Sequence, residues 1–220
     1  MQTINVIELR NYLLKPGARD RFIEYFKDHF IESQSVLGAY IPGLFRIKDQ
    51  EDRFFWIRGF NNMQERSQFL TKFYGGEVWK EFGPAANDMM LEWHHVHLVK
   101  PLADNNNAFN KKPGLLVIDY YTAVNNHPGQ LIDLYINTYI PLYNSWGINN
   151  ISLWVSEMAE NDFRRLPVYQ EENLLLVITS YNNESEHESA VKGFNSLEEE
   201  LATNIQDLVS AKNSLVLYPA

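Results

Sequence analysis

The segment Ile4 to Leu13 places Glu8, Arg10 and Tyr12 at alternate positions. In an extended chain this puts a carboxylate, a guanidinium and a phenol on one face, together with Ile4 and Val6. Trp56 and Arg58 share a face of a later segment, as do Leu44 and Arg46. If such a face is covered, its opposite charges must pair or hydrogen-bond, because an isolated buried charge is costly. Two chemistries then fit. One is a buried ion network, Glu8 with Arg10 or Arg58, that fixes strand register. The other is an anion- or carbonyl-binding pocket with Arg58 as a forked donor and Glu8 as catalytic acid or base.

The run His94-His95-Val96-His97 holds three of the six histidines. On a strand, His95 and His97 point to one face, while His94 and Glu92 point to the other. Two imidazoles at i, i+2 make His95 and His97 weak metal-ligand candidates. Half-buried histidines bonded to carboxylates or tyrosine hydroxyls are the plainer expectation, so no metal is expected. Trp56, Trp79 and Trp93, with Phe54, Phe55, Phe73 and Tyr74, make the first half rich in aromatic residues. They read as core, or as the walls of a flat pocket for an aromatic ligand.

Composition narrows the alternatives. The chain has 220 residues, 45% hydrophobic and 21% charged, with a net charge of −9 and no cysteine. Disulfides, Cys-ligated metals and thiol nucleophiles are thereby excluded. Residues 1–110 carry a net −1 and residues 111–220 a net −8. An acidic chain without a basic stripe is a poor nucleic-acid binder. No apolar run approaches the roughly 20 residues of a membrane helix. The residues after Met1 do not read as a leader, so a cytoplasmic location is expected, or an exported one if a leader was removed. No dinucleotide, phosphate-loop or nucleophile-elbow motif is present, so no cofactor is expected.

The elements that must position these residues come in two similar sets. Val6-Ile7-Glu8 has a counterpart in Val117-Ile118-Asp119, Pro16-Gly17 in Pro128-Gly129, and Gly38 in Gly147. Between the sets lies a polar, Asn-rich stretch at 104–114 with the composition of a linker. The first half reads as strand 4–13, helix 18–35, strands 40–48 and 53–60, a helix after the Asn61-Asn62 cap, a second helical piece interrupted at Gly83-Pro84, and strand 93–99. The second reads as strand 115–123, helix 129–146 kinked or ended near Pro141, strands 148–158 and 173–180 joined by a long polar hairpin loop, helix 184–211 in two pieces, and strand 214–218. Glu198-Glu199-Glu200 reads as a solvated helix face. The expected fold is α+β: two tandem ferredoxin-like βαββαβ units, residues 1–103 and 115–220, whose antiparallel sheets pack as a pseudo-dimeric α/β barrel. Fused halves remove the need for a dimer, yet such barrels can still associate as homo-oligomers.

The string Ile7-Glu8-Leu9-Arg10-Asn11-Tyr12-Leu13-Leu14-Lys15-Pro16-Gly17 resembles the opening of the NIPSNAP family. Phe55-Trp56-Ile57-Arg58-Gly59-Phe60, Glu65-Arg66 and Val78-Trp79-Lys80-Glu81-Phe82 are similar to that family's third strand and second helix. The resemblance covers about residues 4–100. The second half looks like a divergent copy, with Asp119-Tyr120-Tyr121-Thr122 in place of the E-L-R-x-Y string. It implies the dimeric α/β-barrel group, which includes monooxygenases and haem-binding enzymes, and no settled reaction. It adds Arg66 and Trp79, with Arg10, Tyr12 and Trp56, as expected ligand-binding residues, Arg66 either as a pocket lid or as a plain surface residue. The expected function is binding or transforming a small organic molecule in a helix–sheet pocket of the first half. A cofactor-independent oxygenase-like activity, or a degenerate form of one, is the enzyme class this leaves. The plain strands of the second half, with Leu174-Leu175-Leu176-Val177-Ile178, suit a structural partner, so one pocket is expected rather than two. The alternative is a non-catalytic structural or protein-interaction domain. Pocket volume separates the two: Glu8 and Arg58 fully paired in a dry core would end the enzyme reading.

Overall fold

In the computed structural model, residues 4–102, 109, 113–126, 128–196 and 205–220 are described. The expected linker 104–114 lies largely outside them, as does Glu198-Glu199-Glu200. The chain forms two compact units. The first comprises Met1–Lys100, Glu157–Gln170 and Pro219–Ala220; the second comprises Pro101–Ser156 and Glu171–Tyr218.

The first unit is built from β1 (Val6–Leu14), α1 (Arg19–Phe26), a π-helical turn at Lys27–Ile31, α2 (Glu32–Val36), β2 (Tyr40–Ile47), β3 (Arg53–Phe60), α3 (Met63–Gly75), α4 (Glu77–Met89) and β4 (Met90–Pro101). Its sheet is antiparallel in the order β4-β1-β3-β2. The register sets Glu8 opposite Arg58, Arg10 opposite Trp56 and Tyr12 opposite Phe54. Side chains alternate across the pleat, so these six residues meet on the face that α1 to α4 cover. There Phe22, Phe26, Phe30, Leu70 and Phe73 pack against Tyr12, Phe54 and Trp56. Ile7, Leu9, Phe55 and Ile57 lie on the opposite face and are also buried.

Local chemistry explains the helix boundaries. Asn62 caps α3, its side-chain oxygen accepting from the Glu65 N–H. The interruption expected at Gly83-Pro84 does not occur: α4 runs through both. Pro84 is exposed, where water can reach the carbonyl left without a partner. Gly83 is needed for a close approach, since a Cβ there would meet the Trp79 ring at 2.8 Å.

Glu157–Gln170, most of it in the polar hairpin loop expected between strands 148–158 and 173–180, belongs to the first unit. The Tyr169 N–H donates to the Val96 carbonyl at 2.7 Å, and its carbonyl accepts from Leu98 at 3.1 Å. Phe163 and Leu166 anchor the segment in the first core. Two apolar side chains in a polar stretch decide its placement, and the stretch's overall polarity masked them.

The second unit is built from β5 (Leu115–Ala123), α5 (Gly129–Leu134), a π-helical turn at Tyr135–Tyr139, α6 (Ile140–Ser145), β6 (Ile151–Ser156), β7 (Leu174–Tyr181), α7 (Glu184–Ser196) and β8 (Val209–Pro219). Its antiparallel sheet has the order β6-β7-β5-β8. Val117, Tyr121, Leu175, Val177 and Tyr181 point to the face that carries the helices. Pro141 causes no break: the backbone stays helical from α5 through the π-helical turn into α6, and Pro141 sits two residues past that turn. Among the described residues no helix is long and apolar enough to cross a membrane.

Candidate functional site

The first unit brings the expected charged residues together. The Glu8 Oε2 accepts from Arg10 Nη1 at 2.8 Å and from Arg58 Nε and Nη2 at 2.9 and 2.6 Å. Its Oε1 accepts from Arg66 Nε at 2.7 Å. Arg66 is thus neither a lid nor a surface residue: like Glu8 and Arg58 it is 0% exposed. Neutral oxygens complete the shell. Tyr12 Oη accepts from Arg10 Nε at 2.8 Å, Gln34 Oε1 from Arg58 Nη1 at 2.9 Å, and Asn161 Oδ1 from Arg66 Nη1 at 2.9 Å. The Arg58 guanidinium also lies 5.1 Å from the Trp56 ring centroid and 5.1 Å from that of Phe69, within cation–π range.

This environment sets the protonation of Glu8. Burial alone would raise its pKa, but the guanidinium groups of Arg58, Arg66 and Arg10 outweigh it and hold the carboxyl well below the usual carboxylate range. A carboxylate held that way stays ionised, and its lone pairs are committed to four N–H donors. That is the geometry of a counter-ion. A general acid or base needs a pKa near the working pH and a lone pair facing substrate.

Beside the cluster lies a cavity of about 30 Å³, lined by Tyr12, Gln34, Trp56, Arg58, Tyr74, Trp79 and the phenylalanines of the core. One water needs about 10–15 Å³ measured this way, so the space holds one or two water-sized guests and no organic substrate. Trp79 is half-buried in its wall, packed on Phe30 and Tyr74.

The histidines lie elsewhere. His95 and His97 pair with Asn11 and Leu9 of β1, on the face opposite Glu8. A bulge between Asn11 and Leu13 shifts the register and brings Glu92 to His95, not to His94 as strict alternation implies. Glu92 Oε2 and His95 Nε2 are 3.0 Å apart, and the Tyr169 hydroxyl is 3.3 Å from His95 Nδ1. No group of three or more metal-ligating side chains occurs among the described residues. The Glu92–His95 pair is more than a third exposed on both sides, so His95→Ala is expected to change stability by less than about 1 kcal/mol in a urea melt.

A far larger cavity than this one lies in the second unit, contrary to the expectation of a single pocket in the first. It measures about 880 Å³ and opens between the sheet and α5 to α7, within the range of small-molecule sites. Its lining includes Asp119, Tyr121, Tyr135, Tyr139, Tyr143, Tyr181, His187, Phe194 and Lys212. Tyr135 donates to the Tyr121 oxygen at 2.6 Å, leaving the Tyr121 O–H to donate onward. Asp119 accepts from the Ser214 hydroxyl, and its Oδ1 lies 3.7 Å from Lys212 Nζ. Lys212 Nζ also lies 5.2 Å from the Tyr121 ring centroid. Burial, reinforced by Asp119, pushes the Tyr121 and Tyr135 phenols well up, so both stay protonated donors at neutral pH. The sequence carried a signal for this site: Tyr135, Tyr139 and Tyr143 recur every four residues, which stacks them on one side of a helix.

No family model matches the chain, and no curated protein does. Solved structures do. A candidate monooxygenase from Fusobacterium nucleatum aligns over 100% of this chain and 94% of its own, at 10% identity and a TM-score of 0.66. An anthrone oxidase-like protein aligns over 100% and 92%, at 10% identity and a TM-score of 0.56. A NIPSNAP family protein from Agrobacterium tumefaciens aligns over 46% of this chain and 91% of its own, at 24% identity and a TM-score of 0.41. The two full-length likenesses show a shared fold and nothing beyond it.

Proposed function

We propose that this protein binds a flat, largely apolar organic molecule carrying a hydroxyl or carbonyl group, and that it does so in the pocket of the second unit. The supporting observation is the 880 Å³ cavity walled by five tyrosines around Asp119. Aromatic rings give a planar ligand stacking surfaces, and protonated phenols give its oxygen a donor. Anthrone is a tricyclic aromatic ketone, and the name of the anthrone oxidase-like relative points to the same ligand class. We read the chain as a duplicated ferredoxin-like unit, NIPSNAP-like in its first copy. The strand orders β4-β1-β3-β2 and β6-β7-β5-β8 support this, being one order written in opposite directions with β5 in the place of β1.

On that reading Asp119 occupies the place of Glu8, and Tyr121 and Val177 those of Arg10 and Arg58. Where the first copy fills its helix–sheet space with guanidinium groups, the second leaves it open. The first-unit residues Glu8, Arg10, Tyr12, Trp56, Arg58 and Arg66 then serve as a structural network instead of a substrate site.

Titration with anthrone, followed by chemical-shift mapping on the full chain, tests the proposal. Shifts confined to Asp119, Tyr121, Ala190 and their neighbours are expected. Ala190→Phe, which thrusts a ring into the cavity, is expected to weaken binding at least tenfold, and Tyr121→Phe by up to about tenfold for one lost hydrogen bond. Shifts centred on Trp56 and Trp79, or binding indifferent to both substitutions, would overturn it.

A further inference from the structure

The ion cluster of the first unit is out of balance. Arg10, Arg58 and Arg66 bring three positive charges to the one carboxylate of Glu8, and all four residues are at most 1% exposed. Their other acceptors, the oxygens of Tyr12, Gln34 and Asn161, are neutral. Two positive charges are therefore uncompensated among the described residues in a site closed to bulk water, where an unpaired charge is expensive. Two donors are also buried without a hydrogen-bond partner, Arg66 Nη2 and Trp56 Nε1. Trp56 and Arg58 both line the 30 Å³ cavity, with Tyr12 and Gln34. The rest of its wall is mostly aromatic, including Phe22, Phe26 and Trp79, with Ala86 and Met90.

We infer that this cavity is a binding site for a small monovalent anion of halide size, with chloride the natural occupant. A space for one or two water-sized guests admits a halide. The Trp56 indole N–H and the Arg58 guanidinium both favour negative charge. The anion lowers the cluster's charge to +1 and gives the indole donor a partner. Its role is to complete the network that ties β1 and β3 to α2 and α3. This site is independent of the organic-ligand pocket in the second unit.

Thermal melts of the full chain in sodium chloride and in sodium gluconate, at equal ionic strength, read the effect. Gluconate is too large for the cavity. At chloride about 100 times its dissociation constant the midpoint is expected to rise by roughly 5–10 °C, saturating with concentration. Trp56→Phe keeps the ring and removes the donor, so it is expected to shrink that difference. Crystals grown in sodium bromide give a second readout that needs no variant: an anomalous peak between Trp56 and Arg58 is expected. Equal midpoints in the two salts, or a cavity holding only water in the bromide crystals, would overturn the proposal.

Discussion

Glu8→Gln is expected to destabilise the protein by about 3–5 kcal/mol, lowering the melting midpoint by roughly 6–20 °C. The substitution keeps the shape of the side chain and deletes the single negative charge in a cluster with three guanidinium groups. Four N–H donors converge on that carboxylate at 2.6 to 2.9 Å. An amide offers one oxygen to accept them and turns its own N–H₂ toward a cation. Arg10, Arg58 and Arg66 are then left buried with no carboxylate to neutralise them. The control lies in the second unit. Asp119→Asn is expected to cost less than about 1 kcal/mol, because its basic neighbour Lys212 is half-exposed and 3.7 Å away. Denaturant melts of both variants measure the contrast. Equal, small losses would mean that the Glu8 cluster contributes no more than a surface pair.

Much of the fold was legible because its signals are local. Alternation in Glu8-Leu9-Arg10-Asn11-Tyr12 marked a strand with one charged face, and Asn62 marked the start of a helix. A pairing of Glu8 with Arg10 or Arg58 was one of two chemistries the alternation allowed; that β1 and β3 lie side by side with Glu8 opposite Arg58 is a matter of register that alternation does not determine. What stayed hidden depends on distance or on the absence of atoms. Gln34 and Asn161 sit in a helix and a loop with no motif to flag them, and reach the cluster only through tertiary packing. The bulge that moves Glu92 to His95 is a register event between two strands. A cavity leaves the weakest trace of all. The first half carries Phe22, Phe26, Phe30 and Trp79 and fills its space. The second carries Tyr135, Tyr139 and Ala190 and leaves it open. Aromatic content alone does not distinguish a packed interior from the wall of a pocket.

Acid is expected to unfold the first unit through the same carboxylate. A group whose folded pKa is depressed stabilises the fold fully above its unfolded pKa, and that stabilisation is lost as pH falls toward the folded value. Glu8 is such a group, held down by Arg58, Arg66 and Arg10 against the opposing effect of burial. Its contribution is therefore intact above the ordinary glutamate value of about 4.3 and declines progressively below it. Full protonation does to the cluster what Glu8→Gln does, so the loss approaches the same 3–5 kcal/mol. The tyrosines of the second unit add nothing to this slope, since their pKa values lie far above it. Urea midpoints measured between pH 6 and pH 3 should fall steeply in the unsubstituted chain. In Glu8→Gln the curve should start lower and fall less, the gap narrowing by about 2 kcal/mol at pH 3, since one group changes stability by at most about 1.4 kcal/mol per pH unit below its unfolded value. Parallel curves would assign the acid sensitivity to other carboxylates and leave Glu8 without its proposed part in holding β1, β3 and α3 together.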